Sequence, residues 1–326
     1  MSGIVTLTPA PAIDLTYRVG ALELGEVNRA EAVHLELSGK GVNVARAIAL
    51  SGVPVSAVLA LNGHGAALAR EGGFEGLLAG VPDDGRTRIN TTLLDGAGST
   101  TKVNEGPVPV DRRLWSALAE RTESELERLD ADWLVVSGSI PALAGTADPV
   151  PFLDLVRRAW ALGVRVAVDT AGQALRSVVA DLSSVALIKP NTHELAELTG
   201  SSLSTIGEVA DAALRLHEAG CDVVYVSMGA DGALAVSASG VQLARARATV
   251  VNTAGAGDAS LAGFLVGSSQ ADGTVDVAGG LRLAASWGAH AVEQPTTLLA
   301  SVAGAPPATL EHDPDPATPL TEPARP

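Results

Sequence analysis

Residues 132–169 read DWLVVSGSIPALAGTADPVPFLDLVRRAWALGVRVAVD, and this stretch decides the fold class. Asp132–Ser137 and Arg165–Asp169 are short apolar runs rich in β-branched residues, each closing on a polar one. Between them, Pro149–Leu162 carries apolar residues at helical spacing. Strand, Gly/Ser turn, helix and second strand together form the unit from which parallel sheets are built. The rhythm continues outward. Ile4–Leu7, Val185–Ile188 and Asp222–Ser227 read as further buried strands, and Asp111–Leu129 and Gly207–Ala219 as helices. This alternation predicts an α/β protein whose mostly parallel sheet is covered by helices on both faces. In such sheets ligands sit beyond the carboxyl ends of the strands. Ser137–Pro141, Lys189–Asn191 and Ser227–Gly232 are therefore the turns to search.

Two stretches interrupt the rhythm. Leu15–Leu37 and Arg86–Glu105 alternate polar and apolar residues without an intervening helix, which predicts strands of a small second sheet over the main one. Val226–Thr249 reads as a strand, a turn at Gly229–Gly232 and a hairpin about Ser239–Gly240. From residue 304 to 326 the chain is rich in Pro, Ala and Thr (GAPPATLEHDPDPATPLTEPARP). That composition predicts a disordered tail behind a single domain spanning 1–303.

Composition excludes several function classes. The formal charge of −15 opposes nucleic acid, whose binding rests on Lys and Arg neutralising phosphates. The apolar runs are far shorter than the ~20 residues that cross a bilayer, and no basic segment precedes an apolar run at the N-terminus. One cysteine, Cys221, allows no intrachain disulfide and suits a reducing cytoplasm. The six histidines show no pair at metal-ligand spacing, and His193-Glu194 lacks the second histidine of a zincin helix. Nucleophile-elbow, Walker A and dinucleotide-fingerprint patterns are absent.

Four segments carry chemistry, each with a plain structural alternative. Gly255-Ala256-Gly257-Asp258 precedes the apolar helical run Ala259–Val266. Amides at a helix N-terminus receive anions, and a carboxylate in the same turn suits a general base, or else a simple N-cap. Lys189-Pro190-Asn191-Thr192-His193-Glu194 has the spacing of a capping box; functionally, Asn191 and Glu194 would organise a hydrated Mg²⁺ with Lys189 near phosphates. Ser38-Gly39-Lys40-Gly41-Val42-Asn43 opens a helix whose amides and Lys40 would take a phosphate and Asn43 a sugar hydroxyl, or else forms a turn with a solvated lysine. Gly85-Arg86-Thr87-Arg88-Ile89-Asn90 puts Arg86 and Arg88 on one face of a strand, for a phosphate monoester or for edge protection.

In this order the segments resemble the phosphofructokinase-B branch of the ribokinase-like sugar kinases, most closely bacterial 1-phosphofructokinases and tagatose-6-phosphate kinases. The matching pieces are Thr6–Asp14 (TLTPAPAID), Gly39–Ala45 (GKGVNVA), Gly85–Asn90 (GRTRIN), Val136–Pro141 (VSGSIP), Lys189–Glu194 (KPNTHE), Val226–Gly232 (VSMGADG) and Thr253–Asp258 (TAGAGD). The resemblance implies a three-layer α/β/α sandwich with a small β lid within about residues 15–37 and 86–105, often dimeric through that lid. It implies that Asp14, Gly39, Lys40, Gly41, Asn43 and Arg88 hold a sugar phosphate, with Ser137 or Ser139 nearby. Lys189, Asn191, Ser227, Gly229 and Gly232 would face ATP, Gly255, Ala256 and Gly257 would cradle the migrating phosphoryl group, and Asp258 would deprotonate the acceptor. Ser38, Ala10 and the stretch 92–107 depart from the family pattern and bear on substrate identity. Fructose 1-phosphate is the expected acceptor, with tagatose 6-phosphate or fructose 6-phosphate the alternative. A non-catalytic sugar-phosphate or nucleotide sensor is the reading from another class.

Overall fold

A computed structural model describes residues 3–96, 99–270, 273–294, 296 and 298–326. Its main sheet contains β1 (Ile4–Thr8), and its lid sheet contains β2 (Ala12–Val19) and β3 (Ala30–Ser38). The main sheet resumes with β4 (Val55–Leu61) and β5 (Leu78–Pro82), and the lid with β6 (Arg88–Asp95) and β7 (Thr100–Asn104). Then come β8 (Trp133–Ser137), β9 (Arg165–Asp169), β10 (Leu187–Ile188), a short β11 (Leu203–Thr205), β12 (Val223–Ser227), β13 (Ala233–Ser237), β14 (Gly240–Ala246), β15 (Ala308–His312) and β16 (Pro319–Ala324). The helices are α1 (Lys40–Ala49), α2 (Gly63–Glu71), α3 (Arg112–Arg128), α4 (Phe152–Ala161), α5 (Gly172–Val179), α6 (Thr192–Thr199), α7 (Ile206–Glu218), α8 (Ala256–Ser268) and α9 (Val277–Val292).

The ten-stranded sheet runs β15-β14-β13-β12-β10-β9-β8-β1-β4-β5. From β12 to β5 every pairing is parallel, while β13, β14 and β15 extend one edge antiparallel. Period-two alternation explains why the central strands are apolar throughout. Leu134 and Val136 of β8 join the core shared with α3, α4 and α7, whereas Trp133 and Val135 join the core shared with α1, α8 and α9. Both faces are buried, so both parities are apolar. α8 is buried from Asp258 to Leu265, because α9 covers its far side.

The lid is a four-stranded sheet, β3-β2-β6-β7, with β2 and β6 parallel and the other pairs antiparallel. Its register sets Ala12 opposite Arg88 and Asp14 opposite Asn90. The α/β class, the parallel sheet, the lid and the hairpin at Ser239–Gly240 follow the sequence-based expectation.

The tail corrects it. Residues 304–326, expected to be disordered, form β15 on the main-sheet edge and β16 against β11. Composition alone counts few apolar side chains there. Leu320 and Ala324 are nevertheless buried, and the edge of β14 supplies the backbone partners that an isolated segment lacks. Arg86 also departs from expectation. It precedes β6 rather than sharing its face with Arg88, and pairs with Glu105 at 2.6 Å in solvent.

Candidate active site

The N-termini of α1 and α8 meet above the carboxyl ends of β1, β8 and β9. α8 begins at Gly255, whose φ of 76° favours glycine, and Asp258 sits in its first turn. α1 begins after Gly39, at φ 132°, and its Gly41 lies where a Cβ would stand 3.1 Å from the Leu7 carbonyl oxygen. Those glycines let α1 approach β1 closely enough for Asn43 to reach α8. Asn43 Nδ2 donates to Asp258 Oδ2 at 2.8 Å, and Ser38 Oγ donates to Asn43 Oδ1 at 3.2 Å. An amide holding one carboxylate oxygen fixes the rotamer of Asp258.

Asp258 is buried, and burial, opposed by the Lys40 charge and reinforced by Asp169, pushes its carboxyl up to about 6. Asp169, at the end of β9, belongs to the same cluster although no motif marks it. It is buried between two ammonium groups, with Lys40 Nζ 2.8 Å from Oδ1 and Lys189 Nζ 3.1 Å from Oδ2. Burial alone would raise its carboxyl; Lys189 and Lys40 outweigh that and hold it below the usual range. For Lys40, burial pulls downward, but Asp169, Asp258 and Glu194 keep the ammonium charged well beyond neutral pH. The one legible signal for Asp169 was an acid closing an apolar strand.

Lys189 reaches the Gly255–Gly257 turn as well. A Cβ on Gly257 would lie 3.5 Å from Lys189 Nζ, so this ammonium stands beside the Gly255-Ala256-Gly257 amides. On the other side, Gly138, at φ 98°, brings the Ser137-Gly138-Ser139 turn against Lys40, and Gly138 N donates to Asp169 O at 2.8 Å. Ser137 Oγ is buried without a hydrogen-bond partner among the described residues. The glycine turns thus close around two lysines and two acids.

The lid contributes a second group. Asn90 Nδ2 donates to Asp14 Oδ1 at 3.0 Å, and Arg88 Nη1 donates to the Glu105 carbonyl oxygen at 3.0 Å. Arg88 Nε and Asn90 Oδ1 are buried without partners among the described residues. Unpaired polar atoms of this kind are costly unless a ligand completes them.

Asn191 and Glu194 form the capping box of α6. Glu194 N donates to Asn191 Oδ1 and Asn191 N to Glu194 Oε2, both at 2.8 Å. The box engages Glu194 through Oε2. Among the described residues no cluster of three His, Cys, Asp or Glu side chains stands ready for a metal. Ser227 N donates to Pro190 O at 3.1 Å, which sets the Lys189–Asn191 and Ser227–Gly232 turns side by side at the ends of β10 and β12. Gly232, at φ 94°, passes so near the Ala244 carbonyl that no side chain fits.

Against known proteins, residues 7–302 match the family described as pfkB family carbohydrate kinase. The chain belongs to that family. The 1-phosphofructokinase of Escherichia coli strain K12 is 33% identical over 302 residues, which cover 89% of this chain and 91% of that protein. The 1-phosphofructokinase of Haloferax volcanii is 34% identical, covering 82% and 86%. Phosphofructokinase-2 from Escherichia coli, solved in complex with potassium, superposes with a TM-score of 0.81 at 27% identity, covering 93% of this chain and 96% of that one. The pfkB membership makes this chain an ATP-dependent sugar-phosphate kinase. Among the described residues no helix is long and apolar enough to cross a membrane.

Proposed function

We propose that this pfkB kinase transfers the γ-phosphate of ATP to a hydroxyl of fructose 1-phosphate, giving fructose 1,6-bisphosphate. The observation that carries the chemistry is the buried Asp258, fixed by Asn43 at the mouth of an amide turn and facing two lysines. Asp258 takes the acceptor proton while the amides of Gly255 to Gly257, with Lys189, receive charge on the transferred group. Asp14, Gly39 to Asn43, Arg88 and the Ser137–Ser139 turn hold the sugar phosphate. The orphaned Arg88 Nε and Ser137 Oγ support that reading, because an oxyanion and a hydroxyl are the partners they lack. Lys189, Asn191, Ser227, Gly229 and Gly232 line the nucleotide side. When bound, Mg²⁺ neutralises phosphate charge, and Asn191 with Glu194 would hold its water shell. The choice of fructose 1-phosphate rests on the Gly85–Asn90 segment together with the 1-phosphofructokinase relatives.

ADP release measured across fructose 1-phosphate, tagatose 6-phosphate and fructose 6-phosphate tests the acceptor. The highest kcat/KM is expected on the first, and no turnover on it sinks the assignment. Asp258→Asn is expected to lower kcat by at least about 10³-fold while ATP still binds; turnover near normal would remove Asp258 as the base and leave a sensor or a different mechanism.

A further inference from the structure

β15 and β16 lie beyond residue 302, where the family match ends. They nevertheless hold the turn read above as the nucleotide loop. Leu320 and Ala324 of β16 are buried in the same core as Leu203, Ile206 and Met228. Ile206 N donates to Thr318 O at 2.9 Å and Gly207 N to Pro316 O at 3.0 Å, so the tail satisfies the first free amides of α7. The two strands then converge on one residue, Asp231.

Asp231 lies in the short turn between Gly229, at φ 55°, and Gly232, directly after β12. Thr321 of β16 donates twice to its carboxylate, from N to Oδ2 at 2.8 Å and from Oγ1 to Oδ1 at 2.6 Å. Arg245 Nε donates to the Asp231 carbonyl oxygen at 3.2 Å, and the same guanidinium pairs at 3.4 Å with Glu311 of β15. A loop with glycines at both ends has little conformational preference of its own. Here its centre is pinned from the side by one side chain that the tail bonds directly and another that the tail orients.

We infer that the C-terminal strap positions the Ser227–Gly232 turn for ATP, with Thr321 as the positioning residue acting through Asp231. The inference rests on reading that turn as nucleotide-facing. A tail that merely covered apolar surface would affect overall stability and touch both substrates alike. A strap acting on the loop affects ATP and spares the sugar side.

The test is calorimetric titration with ATP and magnesium chloride, together with steady-state kinetics, on the full chain, Thr321→Val, Thr321→Ser and a chain ending at Pro314. Loss of one exposed hydrogen bond of ordinary net strength, with the Thr321 amide still bonded to Asp231, predicts a rise of about three- to tenfold in the Kd and KM for ATP with Thr321→Val. The shortened chain is expected to lose more, and Thr321→Ser, which keeps the hydroxyl, to stay within about twofold. The KM for the sugar phosphate, and kcat at saturating ATP, should change less than about twofold with Thr321→Val. ATP affinity unmoved by either change overturns the strap, as does an equal loss for both substrates. If the shortened chain does not fold, Thr321→Val decides alone. A full chain that binds no ATP overturns the nucleotide reading itself, whereas one that binds ATP but phosphorylates none of the sugars leaves the strap testable by titration.

Discussion

Asp258 is held where its charged form is disfavoured, and two consequences follow at the scale of the residue. A base must be deprotonated to act, so kcat/KM is expected to fall as pH drops through about 6, the value to which burial pushes its carboxyl. The folded value lies above the ordinary one, so the native state binds the proton more tightly than the unfolded chain does. Its contribution to stability is therefore greatest at low pH and declines as pH rises through about 6. At neutral pH the buried charge costs on the order of 3 kcal/mol. Asp258→Asn is thus expected to melt at the same or a higher temperature while being inactive, and a scanning calorimetry trace checks it. Asp169 works in the opposite sense. Its charge raises the Asp258 carboxyl and offsets the two lysines. Asp169→Asn should move the acid limb of the pH–rate profile to lower pH and, by stranding the buried Lys189, destabilise the fold by about 3–5 kcal/mol in urea. A limb that stays in place would show that Asp169 does not act on the base.

Elements place these residues through close backbone contacts. α8 and α9 touch along glycines: a Cβ on Gly263 would lie 2.6 Å from the Leu283 carbonyl oxygen, and one on Gly267 2.7 Å from that of Gly279. A larger residue there must push the helices apart. Gly263→Val is expected to lose about 3 kcal/mol of stability in denaturant titration and to reduce activity, because α8 carries Asp258 in its first turn. The glycine turn and apolar run of α8, and the apolar periodicity of α3, α4 and α7, mark those helices close to their observed ends in the sequence itself. β15 and β16 carry no such local mark. Their stability comes from the edge of β14 and from β11, which are distant in sequence, so no local pattern encodes it.

For the whole molecule, the lid is the feature with consequences beyond the site. Its strands leave Val33, Leu35 and Val103 at 51%, 39% and 61% exposure, an apolar face unusual beside a chain charge of −15. A homodimer through the lid, the arrangement that the family resemblance implies, would cover it. Sedimentation velocity is expected to give twice the chain mass, and Val33→Glu with Leu35→Glu to give monomers; a monomeric parent would overturn the dimer. The overall negative charge also explains the design of the site, where helix N-termini and two lysines supply positive potential locally rather than through a basic surface.

The sequence by itself determined the fold class, the lid and the glycine turns that carry Asp258, Lys40 and Lys189. Apolar periodicity and glycine punctuation are local properties, and each of those features is built from consecutive residues. Only the tertiary structure decided that Lys40 and Lys189 share Asp169, that Asn43 fixes Asp258, and that the tail is ordered and reaches Asp231. Those pairs lie far apart along the chain. Burial, which sets both the cost and the strength of their charges, exists only once the layers have closed over them.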